Sequence, residues 1–171
     1  MVNQLGEPNF DGEEINMIWV DGNETDLKQF TGEELCKKLA LEMWDHTEQW
    51  SECADFIQNA IFIIDFDTTV NMEGFSTPYE GQFTPEYYSQ IIKAIYAIGD
   101  EKDADILAEA GRLDLHYQKL INSTEDENES DRIYDEFSEK IAELEDELYL
   151  NTGFDMWALL YKYIDEQIGR L

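Results

Sequence analysis

The sequence predicts a mainly α-helical protein: a single-domain helical bundle of about six helices, with a short strand or arm at its N-terminus. Three observations predict this class. Apolar residues recur every three or four positions through most of the chain after Thr31. The hydrophobic fraction of 43% and the aromatic fraction of 13% are enough for a folded core in 171 residues. Proline and glycine stand where helices begin and end.

Residues 1–30 are predicted to form an N-terminal arm or extension, and residues 31–171 the helical domain. The arm is rich in Gly, Asn and Asp. Its one apolar run, INMIWV at residues 15–20, is interpreted as a short strand or as a segment packed on the body of the protein.

Capping residues define the first three predicted helices. The sequence TGEE offers Thr31 as the N-cap of the first helix, with a glutamate in the capping-box position. A second helix is predicted over about residues 51–70. A third begins after Thr84, has Pro85 at its first position and ends at Gly99.

The second half of the chain is predicted to contain three more helices. The segment DEKDADILAEAG is predicted as a helix that stops at Gly111, and residues 122–130 as a loop. Two amphipathic helices follow. Their predicted inward residues are Ile133, Phe137, Ile141, Leu144 and Leu148 in one, and Phe154, Trp157, Tyr161, Ile164 and Ile168 in the other.

Charge is the unusual property of the chain. Forty acidic against eleven basic residues give a formal net charge of −29. Such a field repels nucleic acid and anionic membranes and attracts basic protein surfaces. No run of 18 apolar residues and no signal-like N-terminus is present, so we expect a cytoplasmic location. Two cysteines, Cys36 and Cys53, and two isolated histidines form no ligand pattern, so we expect no metal and no cofactor.

The stretch IFIIDFDTTVN at residues 61–71 offers an enzymatic alternative. An apolar run followed by Asp65-x-Asp67-x-Thr resembles the nucleophile motif of haloacid-dehalogenase-type phosphatases, in which a strand presents both carboxylates. The apolar spacing over residues 56–64 is helical, however. On a helix Asp65 and Asp67 point about 200° apart and cannot act on one phosphorus atom. We therefore expect no enzyme and no catalytic residue.

Asp67 is an unusual residue on the helical interpretation. With Asn71 one turn later, it falls on the apolar side of the predicted helix near its end. A buried carboxylate needs hydrogen-bond donors. We therefore expect Asp67 or Asn71 to accept hydrogen bonds from backbone amides of the loop that follows, in a structural role.

A set of short markers lies between about residues 50 and 113. The marker residues are Asn71, Gly74 and Phe75, then Ala97, Ile98 and Gly99, then Ala104, Ile106 and Leu107. With these markers the segment resembles a bacterial family of helical domains, originally of unknown function, that is known for a DNA mimic. Glu73 departs from the family, which more often has a glycine there. The resemblance implies an all-helical domain without an active site and, for the characterised member, a homodimer that binds a DNA-binding protein in place of DNA.

Acidic residues are densest near residues 125–147. Residues three or four apart on a helix are neighbours, so carboxylates at this spacing form rows. A B-DNA duplex about 40 Å long carries roughly 23 charges, and half of this protein's net charge on one face would give about 15, comparable with one side of the duplex. The predicted partner-binding face comprises Glu125, Asp126, Glu127, Glu129, Asp131, Asp135, Glu136, Glu139, Glu143, Asp146 and Glu147. A second, thinner acidic group is predicted from Asp100, Glu101, Asp103, Asp105 and Glu109. The alternative is a solvated helix face that serves solubility alone.

The predicted function is that of an acidic, non-enzymatic binding protein that occupies the nucleic-acid site of a basic partner, such as a transcription factor or a nuclease. It is not expected to bind nucleic acid or membranes itself. An immunity protein against a basic toxin uses the same physics with a different target. A calcium-binding role is disfavoured because the oxygen-rich DENESD segment lacks the spacing of a calcium loop.

Overall fold

The computed structural model of the protein describes residues 17–171. Within this range it contains no strand, and the predicted mainly α-helical bundle is confirmed. The elements are α1 (Ile18–Asp21), α2 (Glu24–Leu27), α3 (Gly32–Glu42), a 3-10 segment (Met43–Glu52), α4 (Asp55–Glu73), α5 (Pro85–Ala97), α6 (Glu101–Asn122), α7 (Glu127–Asp146), α8 (Tyr149–Thr152) and α9 (Met156–Arg170). Six of the described helices have seven residues or more, as the sequence predicts.

Helix α4 forms the centre of the bundle. Apolar side chains occupy most of its circumference, so it can be buried on several sides. Its buried residues are Phe56, Ile57, Ala60, Ile61, Ile63, Ile64, Phe66 and Val70. Helices α3, α5 and α9 and the 3-10 segment pack around it. Farther out, α6 packs on α5 and α7 packs on α6, so α7 lies at the edge of the bundle.

The end of the predicted arm belongs to the same core. The predicted strand is wrong over Ile18 to Val20, because these residues form the first helical turn; residues 15 and 16 lie outside the described range. Trp19 is only 1% exposed, and its indole Nε1 donates a hydrogen bond to Glu42 Oε2 at 2.9 Å. A buried indole needs such a partner for its N–H.

The predicted helix caps are confirmed. Thr31 Oγ1 accepts a hydrogen bond from the Glu34 N–H at 3.2 Å, and Glu34 Oε2 accepts one from the Thr31 N–H at 2.9 Å, which completes the capping box. Thr84 Oγ1 accepts from the Tyr87 N–H at 3.2 Å at the start of α5. Gly99 follows α5 with φ of +93°, a conformation that favours glycine.

Two predicted boundaries in the second half are wrong. Helix α6 does not stop at Gly111 but continues to Asn122. Gly111 lies inside this helix, and a Cβ built there would be in ordinary contact with Tyr88 Cε1 on α5, at 3.4 Å. The predicted loop at residues 122–130 is also too long. Helix α7 begins at Glu127, because the Asp126 side chain accepts hydrogen bonds from the first N–H groups of the helix.

The inward residues of the last two predicted helices are partly revised. Leu148 is buried but lies beyond α7, where it precedes α8. Phe154 is 46% exposed and lies before α9, so its predicted inward orientation is wrong. The buried residues of α9 are Met156, Leu160, Ile164 and Ile168, while Trp157 and Tyr161 are half-buried.

The predicted contacts of Asp67 and Asn71 are wrong. Asp67 Oδ1 accepts a hydrogen bond from Tyr149 Oη at 2.5 Å, which connects α4 to α8. The Asn71 side-chain amide donates to the Asp67 carbonyl oxygen within α4, at 2.7 Å. The loop after α4 is held elsewhere, since the Tyr79 N–H donates to Asp114 Oδ2 on α6 at 2.7 Å. Gly74, with φ of +90°, ends α4 and directs the chain toward α6.

The second predicted acidic group does not form a surface. Glu101 and Asp105 are exposed, but Asp100 and Asp103 are buried at the start of α6. Asp100 Oδ1 accepts a hydrogen bond from the Asp103 N–H at 3.2 Å, and Asp103 Oδ1 accepts one from the Tyr149 N–H at 3.1 Å. Burial, and then the neighbouring Asp100 carboxyl, raise the pKa of Asp103 to about 7.

Gly32→Ala should destabilise the fold. The Gly32 N–H donates to Asp165 Oδ1 at 2.6 Å, and a Cβ at Gly32 would lie 2.0 Å from the Tyr161 carbonyl oxygen on α9. We expect the free energy of unfolding, measured by denaturant titration, to fall by about 1–3 kcal/mol. Gly169→Ala is the matched control, because a Cβ there meets open space and should be neutral or stabilising. Equal effects of the two variants would contradict the close α3–α9 contact.

Asp103→Asn should alter how stability depends on pH. The pKa of Asp103 is about 7 in the folded protein and about 3.9 in an unfolded chain. Between these values the folded state binds more protons, so the contribution of this group to stability falls as pH rises from about 4 to 7. Asparagine cannot ionise and can still accept the Tyr149 N–H. The drop in melting temperature from pH 5 to pH 8 should therefore be smaller in Asp103→Asn than in the wild type. The exposed control Asp105→Asn should behave like the wild type. Equal drops in all three proteins would contradict the raised pKa of Asp103.

Candidate partner-binding face

Helix α7 is attached to the bundle by one apolar stripe. Ile133, Phe137, Ile141 and Leu144 recur at helical spacing and pack against Leu113, Tyr117 and Ile121 of α6. Of the twenty residues of α7, only Ile133 and Phe137 are fully buried. The remaining circumference of the helix faces outward.

The structure places the predicted acidic residues on this outward side. Ten of the eleven are exposed, and Glu129 is half-buried. We call this set the acidic face: Glu125, Asp126, Glu127, Glu129, Asp131, Asp135, Glu136, Glu139, Glu143, Asp146 and Glu147. The stripe predicted from the sequence, which includes Asp135, Glu139 and Glu143, lies opposite the residues that contact α6.

An unbroken row of carboxylates runs along the acidic face. Every fourth residue from position 127 to position 147 is acidic. On an α-helix each such step rises about 6 Å, so the row extends for about 30 Å. In the described part of the chain, no lysine or arginine forms an ion pair with Asp131, Asp135, Glu139 or Glu143.

The two cations of α7 lie at the edge nearest α6. Arg132 Nη2 donates to Glu129 Oε1 at 2.5 Å. Lys140 Nζ donates to Tyr117 Oη on α6 at 2.9 Å and to Glu136 Oε1 at 3.1 Å. Both cations line a cavity of about 470 Å³ between the two helices.

These contacts set the protonation of their partners. The hydrogen bond from Arg132 lowers the pKa of Glu129. The pKa of Glu136 is lowered by the Tyr117 hydroxyl and then by Lys140. Hydrogen bonds to a carboxylate favour its charged form. The cations therefore keep the edge of the face ionised without interrupting the row.

Among the helical elements of residues 17–171, α7 carries the largest net negative charge. This helix has nine carboxylates and two cations, a formal charge of −7. By the same count α4 carries −4, the 3-10 segment −3, α6 −2 and α3 −1, while α5 and α9 are neutral. One strand of B-DNA as long as α7 carries about nine phosphates. The charge density of α7 is thus close to that of a single DNA strand.

This arrangement lowers the stability of α7. Like charges four residues apart disfavour a helix by about 0.2–0.5 kcal/mol each, so the five steps of the row cost about 1–2.5 kcal/mol. The last turn contains no basic residue and holds Glu143, Glu145 and Asp146, which the helix dipole disfavours at a C-terminus. Helix stability therefore does not explain why these carboxylates are placed together.

An exposed aromatic residue beside the face was not predicted from the sequence. Tyr134 is 50% exposed and lines a cavity of about 270 Å³ with Phe75, Phe137 and Ile141. Exposed tyrosines are frequent anchors in protein interfaces. The sequence does contain an indication of this exposure, since Tyr134 is an aromatic residue outside the predicted apolar stripe of an acidic helix.

The arrangement needed for the phosphatase alternative is not formed. Asp65 and Asp67 lie on α4, where Asp65 Oδ2 accepts a hydrogen bond from Tyr87 Oη at 2.5 Å and Asp67 bonds Tyr149 on another helix. The two carboxylates therefore point to different neighbours. The DENESD segment is helical from Glu127 onward and is not a calcium loop.

Residues 17–171 form neither a cluster of metal ligands nor a membrane-spanning helix. No group of three or more His, Cys, Asp or Glu side chains in this range is arranged to hold a metal ion. Cys36 and Cys53 are both buried. None of the helices in the same range combines the length and apolarity that crossing a membrane requires.

Comparison with known proteins identifies the family. No curated protein and no solved structure matches the chain. A family model described as DMP19-like protein matches residues 51–167, about two thirds of the chain, and this range includes all of α7. It is not a known enzyme family. The chain belongs to the DMP19-like protein family.

Proposed function

We propose that the protein is a DNA mimic: a non-enzymatic protein that binds a basic, nucleic-acid-binding partner in place of DNA. Two observations support this proposal. The family to which the chain belongs is a family of DNA mimics. The acidic face presents a carboxylate at every fourth residue for about 30 Å, without a cation in the row. This row is the observation that carries the proposal.

The proposed mechanism is electrostatic substitution. A protein surface that binds a DNA strand presents lysine and arginine side chains to regularly spaced phosphates. The carboxylates of the acidic face offer those side chains a comparable density of negative charge on a rigid helix. A concentrated field of one sign also accelerates the approach of a basic partner.

A transcription factor or a nuclease in the cytoplasm of a bacterium is a partner of this kind. If the partner is a nuclease toxin, the protein acts as its immunity protein. Both cases require the same face, and they differ only in what the partner does with DNA. Identification of the partner therefore decides between them.

Charge reversal on the acidic face should abolish partner binding. Asp135→Lys, Glu139→Lys and Glu143→Lys are combined in one bait, with wild-type protein as a second bait. A third bait combines Glu48→Lys, Glu52→Lys and Glu73→Lys, which are exposed residues outside the face and give the same change in net charge. Circular dichroism should show similar helicity for all three. The baits are then exposed to a lysate of the native host, and proteins released by rising salt are identified by mass spectrometry.

We expect the wild-type and control baits to capture the same nucleic-acid-binding protein and the face variant to lose it. Bound protein should elute as salt rises, because exposed charges are screened over about 10 Å at 0.1 M salt. The proposal fails if no nucleic-acid-binding protein is captured by the wild type, if all three baits capture it equally, or if binding is insensitive to salt.

A further inference from the structure

A second cavity lies away from the acidic face, between the start of α6 and the turn before α9. Its volume is about 570 Å³. Asp100 and Asp103 line it on the α6 side, and Thr152, Gly153 and Phe154 line it on the other. Gly153 lies in this turn with φ of +71°, in the left-handed region that favours glycine.

The carboxylates of this cavity are buried without a matching cation. Asp100 is 4% exposed and Asp103 is 2% exposed. Asp100 Oδ1 caps α6, but when Asp103 is ionised no group in residues 17–171 donates a hydrogen bond to the buried Oδ2. Lys102, the adjacent cation, donates instead to the Glu147 carbonyl oxygen at 2.8 Å. Buried carboxylates are normally paired or hydrogen-bonded, so Asp100 Oδ2 indicates a missing donor.

The opposite wall of the cavity also suits a cation. Phe154 is 46% exposed at this wall, although large aromatic side chains are usually buried. An aromatic face attracts guanidinium and ammonium groups, most strongly where they are desolvated. A wall with one aromatic ring opposite two carboxylates thus supplies both kinds of contact that such a group makes.

We propose that this cavity binds a guanidinium or ammonium group, with Asp100 and Asp103 as its anions and Phe154 beside it. The planar guanidinium, which donates several hydrogen bonds at once, fits two carboxylates better than an ammonium does. The group is carried by an arginine or lysine side chain of the basic partner or by a free organic cation. Only the first source rests on the proposed function; the site itself does not depend on it.

A proton competes with the cation for this site. The raised pKa of Asp103 indicates that this carboxyl group still binds a proton near neutral pH when no cation is present. The other charged and titratable groups near the pair are Glu101, Lys102 and Tyr149, whose hydroxyl bonds Asp67. A bound cation replaces the proton on Asp103, so binding should release a proton and become tighter as pH rises through 7.

The test is a titration of the isotope-labelled protein with N-acetyl-arginine amide, followed by nuclear magnetic resonance. We expect saturable shifts of the Gly99 and Gly153 amides that grow stronger from pH 6 to pH 8. N-acetyl-citrulline amide, which is nearly isosteric and uncharged, should cause none.

Asp100→Asn and Asp103→Asn should each weaken binding at least about tenfold, because each removes one charge of a buried ion pair. Asparagine is as good an N-cap as aspartate, so the helix start is retained. Asp131→Asn on α7 is the control with the same change in charge.

Three results would overturn the proposal. They are equal binding of the arginine and citrulline amides, binding by the Asn variants that equals that of the wild type, and no shift at Gly99 and Gly153. Magnesium chloride in a separate titration should not produce the same shifts. If it does, the cavity binds an inorganic cation and the proposal is wrong. The two sources of the organic cation are separated with the captured partner. Loss of partner binding by the Asp100→Asn, Asp103→Asn double variant indicates a side chain, and unchanged partner binding indicates a free cation. The charge-reversed α7 variant should still bind arginine amide, so failure of the DNA-mimic proposal leaves this one testable.

Discussion

Helix α7 is held to the bundle mainly by its contact with α6. Leu113 and Tyr117 on α6 meet Ile133 and Phe137 on α7 in a small apolar cluster, separate from the main core around α4. Leu144 packs against both clusters and connects them. Because this contact uses only one side of α7, the rest of the helix is free to carry charge. The same contact also positions Tyr117, whose hydroxyl bonds Glu136 and Lys140 and keeps that cation at the edge.

The cations are distributed unevenly over the helices, and α7 keeps the largest net negative charge of the described helices. Eight of the eleven lysines and arginines form ion pairs, each with a carboxylate three or four residues away on the same helix. Such exposed pairs contribute little to stability, about 0–1 kcal/mol each. Charges of both signs balance on α5 and α9, whereas α7 keeps a strong net negative charge. On the proposed function, this field would draw a basic partner toward α7.

Local sequence predicts those features that depend on neighbouring residues. The capping box at Thr31, the buried character of α4 and the exposed acidic row all follow from spacing along one helix. The features that it does not predict depend on distant residues. Gly111 lies inside α6 beside the Tyr88 ring of α5, and Asp67 bonds Tyr149, which is 82 positions away. The burial of Asp100 and Asp103 was missed for the same reason, since a charged residue at a helix start is ordinarily exposed.

A competition between this protein and DNA for the captured partner tests the central claim most directly. A fluorescently labelled duplex is first bound to the partner, and the protein is then added while fluorescence anisotropy is followed. If the acidic face substitutes for DNA, the duplex is released completely, and the protein concentration needed rises in proportion to the DNA concentration. A ternary complex, in which the partner holds the duplex and this protein together, would contradict the account.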